Sequence, residues 1–237
     1  MTSRLLPTIR RELARVGDPA RSAGAQAYMK SVMPFHGVAT PLFRKTLKPI
    51  LARFPITTAE AWRAECLAIW RGAQFREELH AAIELTGVRG ARAFQTMDAL
   101  PMYEEMVVTG AWWDTVDSVA THRLSTLLRN EPGKMRRAMR AWAKGNDMWK
   151  RRSAILCQIS FKKATDLELL HACIEPSLSS KEFFLRKAIG WALRQYAWTD
   201  PDEVVRYVEA HREELSPLSK REALKNVLRS GRLAAIP

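Results

Sequence analysis

A repeat of about 35 residues in the second half of the chain constrains its fold more than any other feature. Three heptapeptides, at residues 150–156, 185–191 and 219–225, resemble one another. When the heptapeptides are aligned, Arg152, Lys187 and Arg221 hold equivalent positions, and Asp117 holds the same position one repeat earlier. The spacings along the chain are 35, 35 and 34 residues. Two-helix units of this length stack into a solenoid of the HEAT or armadillo type, in which one helix of each pair lines a continuous concave surface. The four positions are therefore expected to form a row along one groove.

Nearly every other segment also has the apolar spacing of an amphipathic helix, and convincing strand alternation is absent. Thr58 has the side chain of an N-cap. The predicted helices cover residues 5–16, 20–33, 42–54, 58–71, 74–86, 97–109, the segment around 113–117, 134–144, 147–160, 165–174, 180–196, 201–211 and 217–230. We therefore predict an all-α chain, an α-α superhelix of HEAT-like repeats with a concave basic groove, that forms a single domain over residues 1–237.

The composition predicts a folded protein of a reducing compartment. Hydrophobic residues make up 47% of the chain, which excludes wholesale disorder. No apolar run approaches the ~18 residues of a membrane span, and the N-terminus reaches charged residues too early for a secretory signal. The three cysteines are widely spaced, without the paired spacing of a zinc site. We expect a cytoplasmic protein that does not bind membranes.

The charge balance points to a polyanionic partner. Lysine and arginine number 38 against 25 acidic residues, which gives a net charge of +13. Each phosphate that a cation neutralises releases condensed counterions from a nucleic acid, so such a bias favours nucleic-acid binding. A basic protein without such a partner would have the same composition.

The stretch GAWWDTVDS at residues 110–118 holds the most distinctive cluster of side chains. Trp113 and Asp117 are four residues apart and so share one face of a helix, whereas Trp112 belongs to a stripe with two valines that is expected to pack inward. Burying an ionised carboxylate without a partner is costly, so we expect Asp117 to be paired, solvated or used in chemistry.

Two later helices carry cations and a tryptophan that suit contacts to DNA. In the predicted helix at residues 180–196, Lys187, Trp191 and Arg194 lie nearly opposite the apolar stripe. The tryptophan is therefore expected to be exposed between two cations, and such a face is suited to contacts with sugar, base or phosphate. Packing of Trp191 under a neighbouring helix is the alternative. Arg152 shares a stripe with Trp149, so we expect it to be partly enclosed and to form a salt bridge with Asp117, which is compatible with a phosphate contact.

The first loop, at residues 34–41, is flanked by further candidates. A threonine and two cations that open a helix suit a phosphate at the helix N-terminus, and a solvated helix cap is the alternative. The flanking candidates are Tyr28, Thr40, Arg44 and Lys45. None of the five histidines has a neighbour at metal-ligand spacing, and nucleotide-binding and serine-hydrolase motifs are absent, so we expect neither a metal nor a cofactor.

The motifs resemble those of the AlkD family of alkylpurine DNA glycosylases. The resemblance rests on WWDTVDS at residues 112–118, SSKEFFLRKAIGWALRQY at 179–196, PLSKREA at 217–223 and the YMK and PFHG motifs at 28–30 and 34–37, and it spans about residues 25–229. It implies a monofunctional glycosylase that excises N3- and N7-alkylated purines such as 3-methyladenine and 7-methylguanine from double-stranded DNA, leaving the base in the duplex.

The resemblance also implies roles for individual residues. Trp113, Asp117, Arg152 and Trp191 match the active-site positions of the family. Asp117 would stabilise an oxocarbenium-like deoxyribose, the tryptophans would pack against the sugar-phosphate backbone, and Arg152 would hold a phosphate and keep Asp117 ionised. The expected DNA contacts are Tyr28, Thr40, Arg44, Lys45, Lys187, Arg194 and Arg221. We expect a monomer, associated with the nucleoid through DNA. A non-catalytic repeat protein that binds damaged or branched DNA, and a helical scaffold for proteins, are the alternatives.

Overall fold

A computed structural model describes residues 2–232 and 235–236, and within these ranges the chain forms helices and turns without a strand. This confirms the predicted all-α class. The helices cluster into two compact units, one up to Met102 and one from Tyr103 onward. The single domain over the whole chain stays a prediction.

The N-terminal unit is built around α1, which packs on α3 and α5. Its α-helices are α1 Leu6–Val16, α2 Pro19–Met29, α3 Thr40–Ala52, α4 Ala59–Gly72 and α5 Arg76–Thr86. The core includes Ile9, Leu13 and Trp62, all fully buried. Thr58 caps α4 by accepting the N–H of Ala61 at 3.1 Å, as predicted. Short 3-10 turns follow α5.

The loop at residues 34–41 is fixed by a buried carboxylate of α5. Glu77 accepts hydrogen bonds from three successive backbone N–H groups, at 2.8–3.2 Å, those of His36, Gly37 and Val38. Gly37 has a φ of +80°, and a Cβ there would lie 2.1 Å from the carbonyl oxygen of Asp18, so only glycine fits. The three bonds make the conformation of this loop a consequence of packing on α5.

The C-terminal unit contains the repeats. Its α-helices are α6 Leu100–Gly110, whose first three residues belong to the N-terminal unit, α7 Trp113–Ser118, α8 Ser125–Asn130, α9 Pro132–Lys144, α10 Met148–Leu156, α11 Leu167–Ile174, α12 Phe183–Tyr196, α13 Pro201–Ala210 and α14 Pro217–Arg229. The helices that carry the repeated heptapeptides are neighbours, because α10 packs on α7 and α12, and α12 packs on α14. The packing of successive helices confirms the repeat-like architecture.

Helices α12 and α14 approach each other closely at Gly190. A Cβ at Gly190 would lie 2.4 Å from the Cβ of Glu222 and 2.9 Å from the carbonyl oxygen of Ser219. Such distances are below any van der Waals contact, so α12 and α14 can pack at this separation only because position 190 lacks a side chain.

Three local features differ from the sequence prediction. The second helix ends at Met29 and not at residue 33, because Lys30 adopts a left-handed conformation with φ of 49°. The predicted helix at residues 147–160 ends at Leu156. Residues Val119–Leu124, between α7 and α8, form a π-helical segment.

Candidate active site

Asp117 and Arg152 form a bidentate ion pair that joins α7 to α10. The Arg152 Nε and Nη2 atoms lie 2.7 Å from the two carboxylate oxygens of Asp117, and the side chains are 14% (Asp117) and 6% (Arg152) exposed. Both residues hold equivalent positions in adjacent repeats, 35 residues apart. The predicted pair and its partial enclosure are confirmed.

Burial and pairing act in opposite directions on the carboxylate. Burial raises the pKa of Asp117 above its ordinary value, and the nearby Asp114 adds to this, while the hydrogen bonds and charge of Arg152 lower it. The guanidinium is therefore the group in this site that favours an ionised Asp117.

Arg152 is also anchored on its other side. Its Nη1 atom donates to the backbone carbonyl of Phe184, and its guanidinium carbon lies 5.9 Å from the centre of the Phe184 ring. All three nitrogens are thus engaged within the protein, and the side chain is almost fully buried. This geometry favours a role in positioning Asp117 over the phosphate contact that the sequence analysis suggested.

An aromatic cluster stands beside the ion pair. The ring of Trp112 lies 6.2 Å from that of Trp149 and 5.3 Å from that of Phe184, and the latter two rings are 5.0 Å apart. Trp112 packs as predicted, and its indole nitrogen is buried without a hydrogen-bond partner among the described residues. Phe184 was not among the predicted site residues, although its 35-residue spacing from Trp149 repeats that of Asp117 and Arg152.

The two tryptophans expected in the active site are both half-buried. Trp113 is the first residue of α7, one turn before Asp117, so the predicted shared face follows from the helix itself. Trp191 lies in the middle of α12. Their contact with DNA stays a prediction.

The cations on either side of Trp191 are engaged by a carboxylate that the sequence analysis overlooked. Glu222 accepts from Lys187 Nζ at 2.9 Å and from Arg194 Nη1 at 2.6 Å. The contact between Lys187 and Glu222 again spans 35 residues, whereas Arg221, to which the alignment gave the position equivalent to Lys187, is exposed. The predicted basic face around Trp191 is therefore neutralised in part by Glu222.

The remaining predicted DNA contacts lie in the N-terminal unit and are exposed. Tyr28 is 77% exposed near the end of α2, and Thr40 is the first residue of α3. Arg44 lies 3.7 Å from Glu84 in an exposed ion pair, and Lys45 is exposed beside it. These positions leave the side chains accessible to a ligand.

A backbone irregularity follows directly on Asp117. The π-helical segment Val119–Leu124 begins two residues later, and the Thr121 hydroxyl donates to the Asp117 carbonyl at 2.7 Å. Such segments occur often at functional sites.

Among the described residues, no group of histidine, cysteine, aspartate and glutamate side chains is arranged so that it could hold a metal ion. None of the described helices is long and apolar enough to span a membrane.

Comparison with known proteins gives a family and one close fold. The family model described as DNA alkylation repair enzyme matches residues 9–227. A solved structure described as a predicted DNA alkylation repair enzyme from Enterococcus faecalis has a TM-score of 0.78 and 28% identity, covering 88% of this chain and 95% of that one.

A second solved structure is more distant. The Pseudomonas fluorescens alkylpurine DNA glycosylase AlkC, bound to DNA containing an abasic site analog, has a TM-score of 0.46 and 15% identity over 96% of this chain and 63% of its own. At that distance it carries no argument about this site. No curated protein matches the chain.

Proposed function

Since the chain belongs to the DNA alkylation repair enzyme family, we propose that it is an AlkD-type glycosylase, which hydrolyses the N-glycosidic bond of N3- and N7-alkylated purines in duplex DNA. The observation that carries the proposal is the enclosed Asp117 carboxylate, held by Arg152 next to an aromatic cluster. An enclosed carboxylate of fixed orientation suits a reaction in which positive charge develops on a sugar.

The leaving group determines which catalytic help is needed. Alkylation at N3 or N7 makes the purine cationic, so the electrons of the glycosidic bond stay with a base that departs neutral. The deoxyribose then carries the positive charge, a water oxygen bonds to C1′, and the water releases a proton. Asp117 stabilises the sugar cation and accepts a hydrogen bond from the attacking water.

Arg152 acts in this scheme as a positioning residue. Its fork occupies one lone pair on each Asp117 oxygen and leaves further lone pairs for sugar and water. The same contacts lower the pKa of the carboxylate against the effect of burial. A lysine would supply the charge without the planar fork.

Trp113 and Trp191 orient the backbone in the proposed complex. Both are half-buried, and Trp113 lies one helical turn from Asp117. Aromatic faces pack against sugar C–H groups, so the lesion is handled from the backbone side and the base stays in the duplex. This access differs from that of enzymes that extrude the base into a pocket.

The test is release of base from a duplex that contains one N7-methylguanine. Wild-type protein should generate abasic sites, seen as strand breaks only after alkali, because a monofunctional enzyme leaves the strand intact. Asp117→Asn should bind the duplex and lose about 10²- to 10³-fold in excision rate, as for removal of a charge-stabilising group. Unchanged excision by this variant would remove Asp117 from the mechanism.

A non-catalytic DNA-binding protein is the second candidate. It is favoured by one observation, that the Asp117 carboxylate is already engaged on both oxygens by Arg152, as in a purely structural ion pair. Tight binding of damaged or branched duplexes by wild-type protein, with no base released, would select this candidate. We propose that the chain acts as a monomer at the nucleoid, whether it excises bases or only binds DNA.

A further inference from the structure

The C-terminal unit has an aromatic and basic edge that the proposed reaction does not use. It begins at Trp198, which follows α12 and is 73% exposed. The indole lies outside the hydrophobic core and is accessible to a ligand that can stack on it. The edge consists of Arg129, Phe161, Lys162, Lys163 and Trp198, and we call it the C-terminal edge.

A braced loop supplies the two lysines of this edge. Between α10 and α11 the buried Gln158 side chain donates to the Asp166 carbonyl at 3.0 Å and accepts from the Asp166 N–H at 2.8 Å. Within this frame Lys162 adopts a left-handed conformation with φ of 54°, an unfavourable geometry for lysine. Lys162 and Lys163 are both exposed as a result.

The two lysines of the edge are not engaged by carboxylates. Neither Lys162 nor Lys163 forms an ion pair in the part of the chain that the structure describes. The carboxylate at the end of the loop, Asp166, is bound by Arg136 at 2.7 Å. The loop therefore presents two unpaired cations.

An arginine stacked on an aromatic ring extends the edge. The Arg129 guanidinium lies 4.1 Å from the centre of the Phe161 ring and contacts the Ser160 carbonyl and hydroxyl through one Nη atom at 3.5 and 3.4 Å. Stacking fixes the plane of the guanidinium and leaves its other N–H groups for a phosphate.

The parts of the edge adjoin one another. Lys162 lines a narrow cleft together with Gln195 and Tyr196 at the end of α12, and the N–H of Trp198 donates to the Gln195 carbonyl. On its other side Trp198 lines a cleft of about 310 Å³ with Asn226, Ser230 and Arg232. Polar side chains and a cation thus stand beside the exposed indole.

We propose that the C-terminal edge binds an unpaired stretch of DNA, with one base stacked on Trp198 and the adjoining phosphates on Lys162, Lys163 and Arg129. An unpaired strand is required because the bases of a duplex are covered on both faces by their neighbours, whereas a free base stacks on an indole. The edge contains neither Asp117 nor either active-site tryptophan, so the proposal goes beyond the proposed excision and does not depend on it.

The test measures binding of a fluorescein-labelled oligothymidylate by anisotropy, with full-length protein. Trp198→Ala should weaken binding about tenfold, in line with the loss of one stacked base, and Trp198→Phe should restore most of it. Lys162→Ala with Lys163→Ala should weaken binding and make the slope of log affinity against log salt shallower by about 1.4. The matched control removes two exposed cations from α9, Lys134 and Arg137, and should change neither quantity appreciably.

Two outcomes would overturn the proposal. One is wild-type affinity in Trp198→Ala protein whose circular dichroism and melting temperature are unchanged. The other is an equal loss of affinity for blunt duplex and for single strand, which would make Trp198 a general DNA contact. Asp117→Asn should bind the oligothymidylate as wild type does, so failure of the excision assay and failure of this assay are distinguishable.

Discussion

Arg152 fixes the position of the Asp117 carboxylate and favours its ionised form. Asp117 lies in an enclosed site where burial raises the pKa of its carboxyl group, and the Arg152 guanidinium lowers this pKa. Arg152 is itself held in place by the backbone carbonyl of Phe184. Sequence reasoning could predict the pair, because the repeat spacing puts both residues at one level of adjacent helices. It could not predict the hydrogen bond from Arg152 to the Phe184 carbonyl, because every residue has a backbone carbonyl and the residue type does not show which one is used.

Arg152→Ala should impair both folding and excision, with opposite dependence on pH. A buried carboxylate left unpaired costs about 3–5 kcal/mol, and the pKa of Asp117 should rise further without the guanidinium. A raised folded-state pKa means that the ionised form destabilises the fold, so the stability loss should be larger at pH 8 than at pH 5. Excision needs the ionised form and should instead increase with pH.

Urea unfolding and excision rates at the two pH values measure both effects. Arg152→Lys serves as the comparison, because it keeps the charge and loses the bidentate geometry; its pH dependence should be weaker than that of the alanine variant. A stability loss independent of pH in Arg152→Ala would show that the guanidinium does not change the ionisation of Asp117 in this range, against its proposed role.

The N-terminal unit has its own buried carboxylate, and its effect on stability should appear in acid. Burial alone would raise the pKa of Glu78, but Arg10, His36 and the N–H of Gln74 outweigh it and hold the pKa at about 2. Because the folded pKa is depressed, the stabilisation is complete above the ordinary value of 4.5 and is lost as the pH falls towards 2.

Glu78→Gln should therefore lower the free energy of unfolding by roughly 2–3 kcal/mol at pH 7 and by much less near pH 2. Urea titrations across this range provide the measurement. Glu60→Gln, at an exposed ion pair of α4, is the control and should have little effect. An equal loss for Glu78→Gln at both ends of the range would assign its effect to packing and not to charge.

At the scale of elements, apolar periodicity predicted nearly every helix, and its failures have local causes. Helix α2 ends early where Lys30 takes the left-handed conformation, although no glycine stands there. The π-helical segment after Asp117 has the same apolar pattern as an α-helix, so the sequence does not distinguish them. Glu222 was missed because the heptapeptide alignment drew attention to Arg221 as the equivalent of Lys187, while the residue that contacts Lys187 is Glu222.

The contact between α12 and α14 can be tested through Gly190. Gly190→Ala would place a methyl group 2.4 Å from the Cβ of Glu222, so the helices must separate, with an expected loss of about 1–3 kcal/mol. Separation should also weaken the Glu222 contacts with Lys187 and Arg194.

Thermal or urea unfolding measures the effect of Gly190→Ala. Gly133→Ala is the matched control, because Gly133 also lies in a helix, α9, and a Cβ there meets nothing within 4 Å. The control should be neutral or slightly stabilising, since alanine favours a helix by about 1 kcal/mol over glycine. Equal behaviour of the two variants would mean that the close approach at Gly190 is not required by the packing.

At the scale of the whole molecule, the charge of +13 separates the candidate functions. Part of this charge is engaged internally, as Arg152, Lys187 and Arg194 show, so a DNA-binding role must rest on the exposed remainder. Duplex binding should then lose affinity steeply with salt. We expect a slope of log affinity against log salt of about −4 or steeper, which at 0.9 per phosphate corresponds to about four contacts or more.

Anisotropy titrations of an undamaged duplex at several salt concentrations give this slope directly. Replacing the exposed Arg44 and Lys45 by alanine should make the slope shallower by about 1.8 if both contact phosphates. The control is Lys134→Ala with Arg137→Ala on α9, which removes two charges without removing an expected DNA contact. Salt-insensitive or absent duplex binding by the wild type would instead favour a helical scaffold for proteins, in which the basic charge has no nucleic-acid partner.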